Sequence, residues 1–147
     1  MINTTNIEQA KNLIKRAEKP IIVKAQNDEF NRKILEYGKF DIILSIEAGI
    51  RSRTLRNIDS GFNEVIGRIA SKNKIALGID MEELSRLAKE EKARRLERII
   101  QNIKISRKTK TKIFLLNVKD KKDAFAFLIS LGASTQQAQE AVRLLDS

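Results

Sequence analysis

Three carboxylates stand where a parallel α/β protein would gather a reactive site. Asp28, Glu47 and Asp80 each follow a short apolar run, and the carboxyl ends of parallel strands meet at one edge of a sheet. Together they could hold Mg²⁺, which prefers oxygen ligands. Asp is also a favoured N-cap residue, so Asp28 and Asp80 equally fit helix starts. A Mg²⁺-dependent phosphate-processing enzyme is therefore one interpretation, and helix capping is the simpler one.

Other catalytic groups are scarce. The sequence contains no His and no Cys, which removes Ser-His and Cys-His dyads, imidazole-ligated metals, thiolate sites and disulfides. Tyr37 is the single phenol. Gly49 and Gly61 are isolated and match no phosphate-binding loop. We therefore expect a polypeptide without chemistry of its own, with no bound cofactor or metal.

The charge is strongly one-signed. There are 29 Lys and Arg against 19 Asp and Glu, a net charge of +10. Such an excess favours a polyanionic partner, nucleic acid before a membrane surface. An ion-paired thermophilic surface explains high total charge better than a large excess of one sign. Aromatic residues are only 5% and fall at core spacing, so we expect binding through phosphates and shape.

The basic residues form clusters along the chain. Arg51, Arg53 and Arg56 follow the second apolar run, and Arg binds phosphate bidentately and stacks on bases. Cations near a helix C-terminus also favour the helix dipole, so some need no RNA partner. The predicted RNA-binding set is Arg32, Arg51, Arg53, Arg56, Arg68, Lys72, Arg94, Arg95, Arg98, Lys104, Arg107, Lys108, Lys110 and Lys112.

Strands and helices alternate in the sequence pattern. Four nearly continuous apolar runs, at 21–23, 41–45, 75–79 and 113–116, are typical of strands buried on both faces of a parallel sheet. Between them, apolar residues recur at helical spacing over 6–17, 28–37, 60–72, 95–107 and 121–131, and again in the tail. The apolar pattern of a long helical region, 81–108, weakens over Lys89 to Arg95, where we expect the helix to break or to lift off the body. This order predicts an α/β fold with a parallel sheet.

The helix limits have their own signals. Asp28, Asp59 and Asp120 lie where an N-cap is wanted. Capping boxes are predicted at 80–83 and 134–137, and Gly132 fits a helix end. The length of 147 residues suits one domain, 1–147. No apolar run of about 18 residues or N-terminal apolar stretch occurs, so we expect a cytoplasmic protein away from membranes.

Several segments, in order, resemble protein component 3 of archaeal ribonuclease P. They span 31–36, 40–45, 59–66, 70–78 and 94–108, with 128–132 and 138–142 similar to the family's C-terminus. The block Asp59-Ser60-Gly61-Phe62-Asn63 is the most specific element. The order and spacing of these segments carry the resemblance more than any single match.

The resemblance implies a fold and a function. Members are TIM-barrel-like proteins, similar to the PHP superfamily but without its metal-binding histidines. They assist a catalytic RNA, which uses Mg²⁺, in removing the 5′ leader from precursor tRNA. They pair with component 2. The chain would then be an RNA-binding subunit of an endoribonuclease and not itself catalytic. A general basic nucleic-acid-binding domain is the remaining alternative.

The sequence departs from that family in two places. The resemblance covers nearly all of this chain but only about two-thirds of a usual member, because N-terminal units of the barrel are missing. Residues 123–127 replace an Arg-x-Pro-x-Asp pattern, which leaves RNA binding by that segment open. We expect a partial barrel of about four βα units with an open edge. A second copy, component 2 or a separately encoded N-terminal piece would cover it.

Overall fold

A computed structural model of the chain describes residues 1–145. Helices and strands alternate along it, as the sequence predicts. The elements are α1 (Ile7–Arg16), β1 (Ile22–Lys24), α2 (Asp28–Tyr37), β2 (Ile42–Leu44), α3 (Glu64–Lys72), β3 (Ala76–Asp80), α4 (Met81–Arg86), α5 (Lys89–Thr109), β4 (Ile113–Leu116), α6 (Lys121–Ser130) and α7 (Thr135–Leu144). All four predicted strands are confirmed.

The strands form one parallel sheet in the order β1-β2-β3-β4, so each strand pairs with the next one in the chain. The register places Ile43 opposite Val23 on one side and Leu77 on the other. Sequential parallel pairing with helical crossovers is the arrangement of a TIM-barrel-like α/β fold. The predicted fold class, a partial barrel with covering helices, is confirmed.

Helices cover the sheet through two apolar clusters. In the first, Ile34 of α2 packs with Val23 and Ile43 of β1 and β2, and all three are fully buried. In the second, β4 packs with α5 and α6 through residues such as Leu115 and Leu128. Both clusters follow from the helical and strand periodicities of the sequence.

Three predicted helix starts are confirmed. Asp80 and Asp120 each accept two backbone N–H groups in the first turn of α4 and α6. Ser134 and Gln137 form a reciprocal capping box at α7. The capping box predicted at 80–83 is wrong in part, because Glu83 turns to other partners and leaves the capping to Asp80 alone.

Two other predicted caps are wrong. Asn27 caps α2, and Asp28 is the first residue inside that helix. Asn63 caps α3, so the helix begins four residues later than its apolar periodicity predicts and Asp59 remains in the loop. Asn has the same short oxygen acceptor as Asp and caps as well. The carboxylates of Asp28 and Asp59, which do not cap a helix, both bind Arg51.

The helical region 81–108 does divide, but just before the segment 89–95 in which the sequence predicts the break; that position is wrong, because 89–95 is helical. α4 ends at Arg86, and Leu87 and Ala88 are extended before α5 begins. α5 then runs over 21 residues and packs against α3. None of the helices described between residues 1 and 145 is both long and apolar enough to cross a membrane.

Candidate nucleic-acid interface

The long loop 45–63, between β2 and α3, contains the arginines predicted to bind RNA. Arg51 does not point outward: its side chain is only 7% exposed. Its Nη1 donates to Asp28 at 3.1 Å and to Asp59 at 3.0 Å, and its Nη2 donates to the Ile46 carbonyl at 3.1 Å. Arg51 therefore joins the two ends of the loop to the start of α2.

The Asp59-Ser60-Gly61 segment completes that arrangement. Asp59 binds Arg51 and also accepts the Gly61 N–H. Gly61 has a φ of +76°, and a Cβ there would lie 2.3 Å from the Ile46 carbonyl oxygen and 2.6 Å from Arg51 Nη2. From α5, Gln101 Nε2 donates to Ser60 Oγ at 2.9 Å. The most specific block of the sequence thus holds the loop in place.

A buried ion network lies at the carboxyl end of β2. Glu47 is 2% exposed and accepts Arg95 Nη2 at 3.4 Å, while Arg95 Nη1 donates to Glu83 at 2.9 Å. Burial raises the pKa of Glu47, and the nearby Arg95 charge opposes that rise. Arg98 Nη1 donates to the carbonyls of Glu47 and Gly49. These two arginines therefore attach α5 to the loop.

The placement of Arg51, Arg95 and Arg98 argues against direct contact with RNA, which the sequence predicts for them. All three side chains are buried and occupied by carboxylates or carbonyls of the protein itself. Contact with RNA would require breaking those contacts and leaving buried charges unpaired, which is costly. We assign them a structural role.

The carboxylates do not form the magnesium site that their order along the chain allows. Asp28 binds Arg51, Glu47 binds Arg95, and Asp80 caps α4 and accepts the Asn117 amide. Among residues 1–145, no group of three or more Asp, Glu, His or Cys side chains could hold a metal ion. The residues that this interpretation named therefore serve other contacts.

Exposed cations do come together on the outer sides of α3 and α5. Lys104, Arg107 and Lys108 lie at i, i+3 and i+4 on α5 and are all exposed. Lys108 pairs with Glu64 of α3, as does Arg68 at 3.6 Å. The hydrogen bond from Lys108 lowers the pKa of Glu64. We call Arg68, Lys104, Arg107 and Lys108 the α3–α5 face.

A groove of about 640 Å³ runs beside this face. Its floor includes Ile58, Ile100 and Leu131, and Lys104, Arg107 and Lys108 line it as well. Arg107 Nη2 donates to the Gly132 carbonyl at 2.8 Å and so marks one side. An apolar floor beside several cations suits a sugar–phosphate backbone, whose sugars are less polar than its phosphates.

The tip of loop 45–63 is the most exposed part of the region. Arg56 is exposed, and Ile50 and Leu55 are 106% and 99% exposed. Arg53 binds Glu97 of α5, and this hydrogen bond lowers the pKa of Glu97. Arg53 and Arg56 therefore lie on the accessible side of the loop that Arg51 holds from within.

The other predicted residues lie apart from this region. Arg32 pairs with Glu36 on α2 and Arg94 pairs with Glu91 on α5, both on exposed helix surface. Lys72, Lys110 and Lys112 lie at the opposite end of the sheet, before β3 and β4, where Lys112 pairs with Glu140 at 3.3 Å. The predicted set is thus several surfaces and not one.

Three further lysines, which are not in the predicted set, lie close to Lys72, Lys110 and Lys112. Lys19, Lys39 and Lys74 precede β1, β2 and β3. Lys19 and Lys74 line the same cavity as Lys112. Their common position, immediately before a strand, is the signal that could have revealed them.

The fold and the charged surfaces define a partial parallel α/β barrel with exposed basic faces. Comparisons with family models and with curated proteins give no match. Among solved structures, the chain is similar to one from the cryo-EM structure of archaeal ribonuclease P with mature tRNA. The TM-score is 0.77 at 22% identity, covering 99% of this chain. This chain spans 64% of the length of that neighbour, and the similarity establishes a shared fold.

Proposed function

We propose that the chain is an RNA-binding protein subunit of an archaeal-type ribonuclease P, equivalent to component 3. It assists a catalytic RNA, supplied with Mg²⁺, in removing the 5′ leader of precursor tRNA. The observation that carries this proposal is the fold similarity, over 99% of the chain, to a chain of an archaeal ribonuclease P structure. The segments that resemble component 3 support it independently, because they were identified from residues alone.

The distribution of cations supports an RNA partner. The net charge is +10. On the α3–α5 face, Lys104, Arg107 and Lys108 are exposed around a groove, and Lys108 also pairs with Glu64. Arg56, and the Arg53 that pairs with Glu97, extend the accessible charge along loop 45–63. Phosphate contacts of this kind position an RNA without reading its bases.

The polypeptide contributes binding and not bond cleavage in this proposal. It has no His or Cys, and its carboxylates at the carboxyl ends of the strands are committed to arginines and helix caps. The catalytic groups would then belong to the RNA, and the protein would be part of an endoribonuclease without being its active site.

A second protein completes the sheet in this proposal. Ile2 pairs in parallel with Val23 along part of the β1 edge, whereas Phe114 and Leu116 of β4 remain only half-buried. Partly exposed apolar strand residues at a sheet edge favour association. Component 2 is the partner that the family resemblance implies, and a second copy or a separate chain are the other outcomes. Light scattering that finds a stable monomer at high concentration, alone and with component 2, would contradict this part.

Reconstitution tests the function. The chain is added to an archaeal ribonuclease P RNA and the other protein subunits, and cleavage of precursor tRNA is measured with and without it. We expect faster cleavage at limiting Mg²⁺ when the chain is present. No change in rate, together with no binding to the RNA, would overturn the proposal. Equal affinity for random RNA at moderate salt would instead favour a general nucleic-acid-binding domain.

A variant of the α3–α5 face tests whether RNA affinity depends on this surface or only on the net charge of the chain. Replacing Lys104, Arg107 and Lys108 by Gln should reduce RNA affinity and flatten its dependence on salt by about one unit per lost phosphate contact. The charge-matched control changes Lys33, Lys89 and Lys122 to Gln, which are exposed and lie outside the α3–α5 face. Equal loss in both variants would remove this face as the contact.

A further inference from the structure

Every helix-to-strand connection of this fold carries a lysine at the amino end of the sheet. Lys19 precedes β1, Lys39 precedes β2, Lys74 precedes β3, and Lys110 and Lys112 precede β4. We call these five the amino-end lysines. They belong to four connections that are far apart in the sequence, so no single charged run of the chain explains them.

Hydrogen bonds show that the four connections are neighbours in space. Ile21, after Lys19, donates its N–H to the Asp41 carboxylate at 2.6 Å. The Asp41 carbonyl accepts the Ala76 N–H at 2.9 Å, and the Lys112 carbonyl accepts the Leu77 N–H at 2.8 Å. The lysines therefore surround one end of the sheet.

Three of these lysines have an unusual backbone conformation. Lys39, Lys74 and Lys110 have φ values of 63°, 57° and 61°. This left-handed region is uncommon for residues with a Cβ and is used mainly by Gly and Asn. Cations inside the last turn of each helix would interact with the helix dipole as favourably as lysines placed just beyond the helix end. Repeated use of Lys at positions suited to Gly indicates that the side chain itself is needed there.

The space between these lysines is open and concave. One cavity of about 350 Å³ is lined by Lys74, Lys110 and Lys112, and a second of about 470 Å³ by Lys19, Lys74 and Lys112. Both include Ala76 at their apolar floor. The size of each suits a phosphate with part of its sugar.

Few of the described acidic groups lie at this end of the sheet, although Asp41 lines the second cavity and Glu140 pairs with Lys112. Asp41 accepts the Ile21 N–H, and Glu140 is shared between Lys112 and Arg143. Lys19, Lys39, Lys74 and Lys110 form no ion pair with any residue between 1 and 145. Lys19, Lys74 and Lys110 line the two cavities, whereas the Lys39 ammonium lies over the Tyr37 ring, 5.3 Å from its centroid. These charges make a local field that attracts a polyanion.

We infer that the amino-end lysines form a second phosphate-binding surface, which holds the sugar–phosphate backbone of RNA at a position separate from the α3–α5 face. The inference rests on the proposed function for the identity of the polyanion. Ligands of parallel α/β folds usually bind at the carboxyl ends of the strands, and the opposite end usually serves stability. Here the carboxyl end is occupied by internal ion pairs, and the amino end carries the free charge.

The test uses the full chain and an archaeal ribonuclease P RNA transcript. Lys39, Lys74 and Lys110 are changed together to Asn, which removes three charges and suits the left-handed backbone. The control is again Lys33, Lys89 and Lys122 to Gln. We expect the Asn variant to bind at least about tenfold more weakly, with the salt dependence reduced by about two units. The control should change by about threefold or less, through its net charge alone.

The outcomes separate this inference from the proposed function. If the unmodified chain binds the RNA and the Asn variant behaves like the control, the amino-end surface is rejected while the proposed function stands. If the unmodified chain binds no RNA, the proposed function itself fails.

A measurement on the unmodified chain guards against misfolding of the variant. Lysine acylation followed by mass spectrometry should show Lys39, Lys74 and Lys110 protected when RNA is added, with Lys33, Lys89 and Lys122 unchanged. Equal reactivity of both sets with and without RNA would overturn the inference.

Discussion

The carboxylate of Glu47 lies 3.4 Å from the guanidinium of Arg95, and water has almost no access to either side chain. The pair joins the carboxyl end of β2 to the first third of α5. Breaking a buried pair by removing one partner leaves an uncompensated charge, which typically costs more than the intact pair contributes. This relationship makes the loop between them sensitive to the protonation of a single residue.

Glu47 should therefore give the fold a specific pH dependence. Burial raises the pKa of Glu47 above its usual 4.5, so the folded chain binds this proton more tightly than the unfolded chain. Its contribution is then most favourable below the unfolded pKa and declines as pH rises through the raised folded pKa. Glu47→Gln should remove that decline, a difference of up to about 1.4 kcal/mol per pH unit. Urea unfolding at several pH values measures it, and identical pH profiles for both proteins would contradict it.

Gly61→Ala should destabilise the chain more than Gly49→Ala. Both glycines have positive φ, 76° and 87°, but only the Cβ at Gly61 meets the Ile46 carbonyl and Arg51, while at Gly49 nothing lies within 4 Å. Both substitutions strain the backbone in the same way, so the difference between their losses of stability measures the effect of the close contacts at Gly61. We expect about 1–3 kcal/mol more loss at Gly61. Chemical denaturation of both variants measures it; equal losses would mean that the loop relaxes around the methyl group.

Substitution of Arg51 should affect mainly the stability of the fold, and substitution of Arg56 should affect mainly RNA binding. Arg51→Ala removes the partner of Asp28 and Asp59, which are partly exposed, and leaves the Ile46 carbonyl without its donor. It should cost about 1–2 kcal/mol of unfolding free energy. Arg56 is exposed, so Arg56→Ala should leave the melting temperature nearly unchanged and weaken RNA binding instead. Thermal melts and RNA titrations on both variants test this. A destabilised Arg56→Ala chain would show that the loop tip packs more tightly than its exposure indicates.

Lys110→Gly should stabilise the fold. Lys110 ends α5 at a φ of 61°, and relieving the left-handed strain should gain about 1 kcal/mol. Lys72→Gly removes the same charge from the last turn of α3, where the backbone is helical, and should lose about 0.5 kcal/mol. Urea denaturation of the pair measures the contrast. A loss at Lys110 would mean that its side chain, and not its backbone, stabilises this helix end.

Periodicity in the sequence predicted the fold well because parallel strands buried on both faces and amphipathic helices leave strong local patterns. The runs at 21–23 and 113–116 and the helix at 28–37 agree closely with β1, β4 and α2. The errors were local. Asp28 and Asp59 look like caps in the sequence, and only the folded chain shows that Arg51 competes for both carboxylates.

The candidate binding surface was less predictable, because charge is visible in a sequence and burial of an arginine is not. Arg95 and Arg98 stand in a basic run beside Arg94. Helical spacing turns Arg94 to solvent and the other two toward loop 45–63, a partner more than thirty residues away in the chain. Lys39 and Lys74 form no cluster in the sequence, because each stands in a different connection and only the sheet brings them together.

The sequential order of the strands also predicts the order in which parts of the chain fold. β1 needs only β2 as its partner, and the last buried member of the first apolar cluster is Leu77. Contacts between chain neighbours form quickly and before the rest of the chain is made. Several contacts of loop 45–63, in contrast, can form only after α5 is made, because they involve Arg95, Arg98 and Gln101 of that helix. During synthesis, the first half of the sheet should therefore assemble while this loop is held only at its ends by Arg51, and contacts with α5 should order the rest of the loop afterwards.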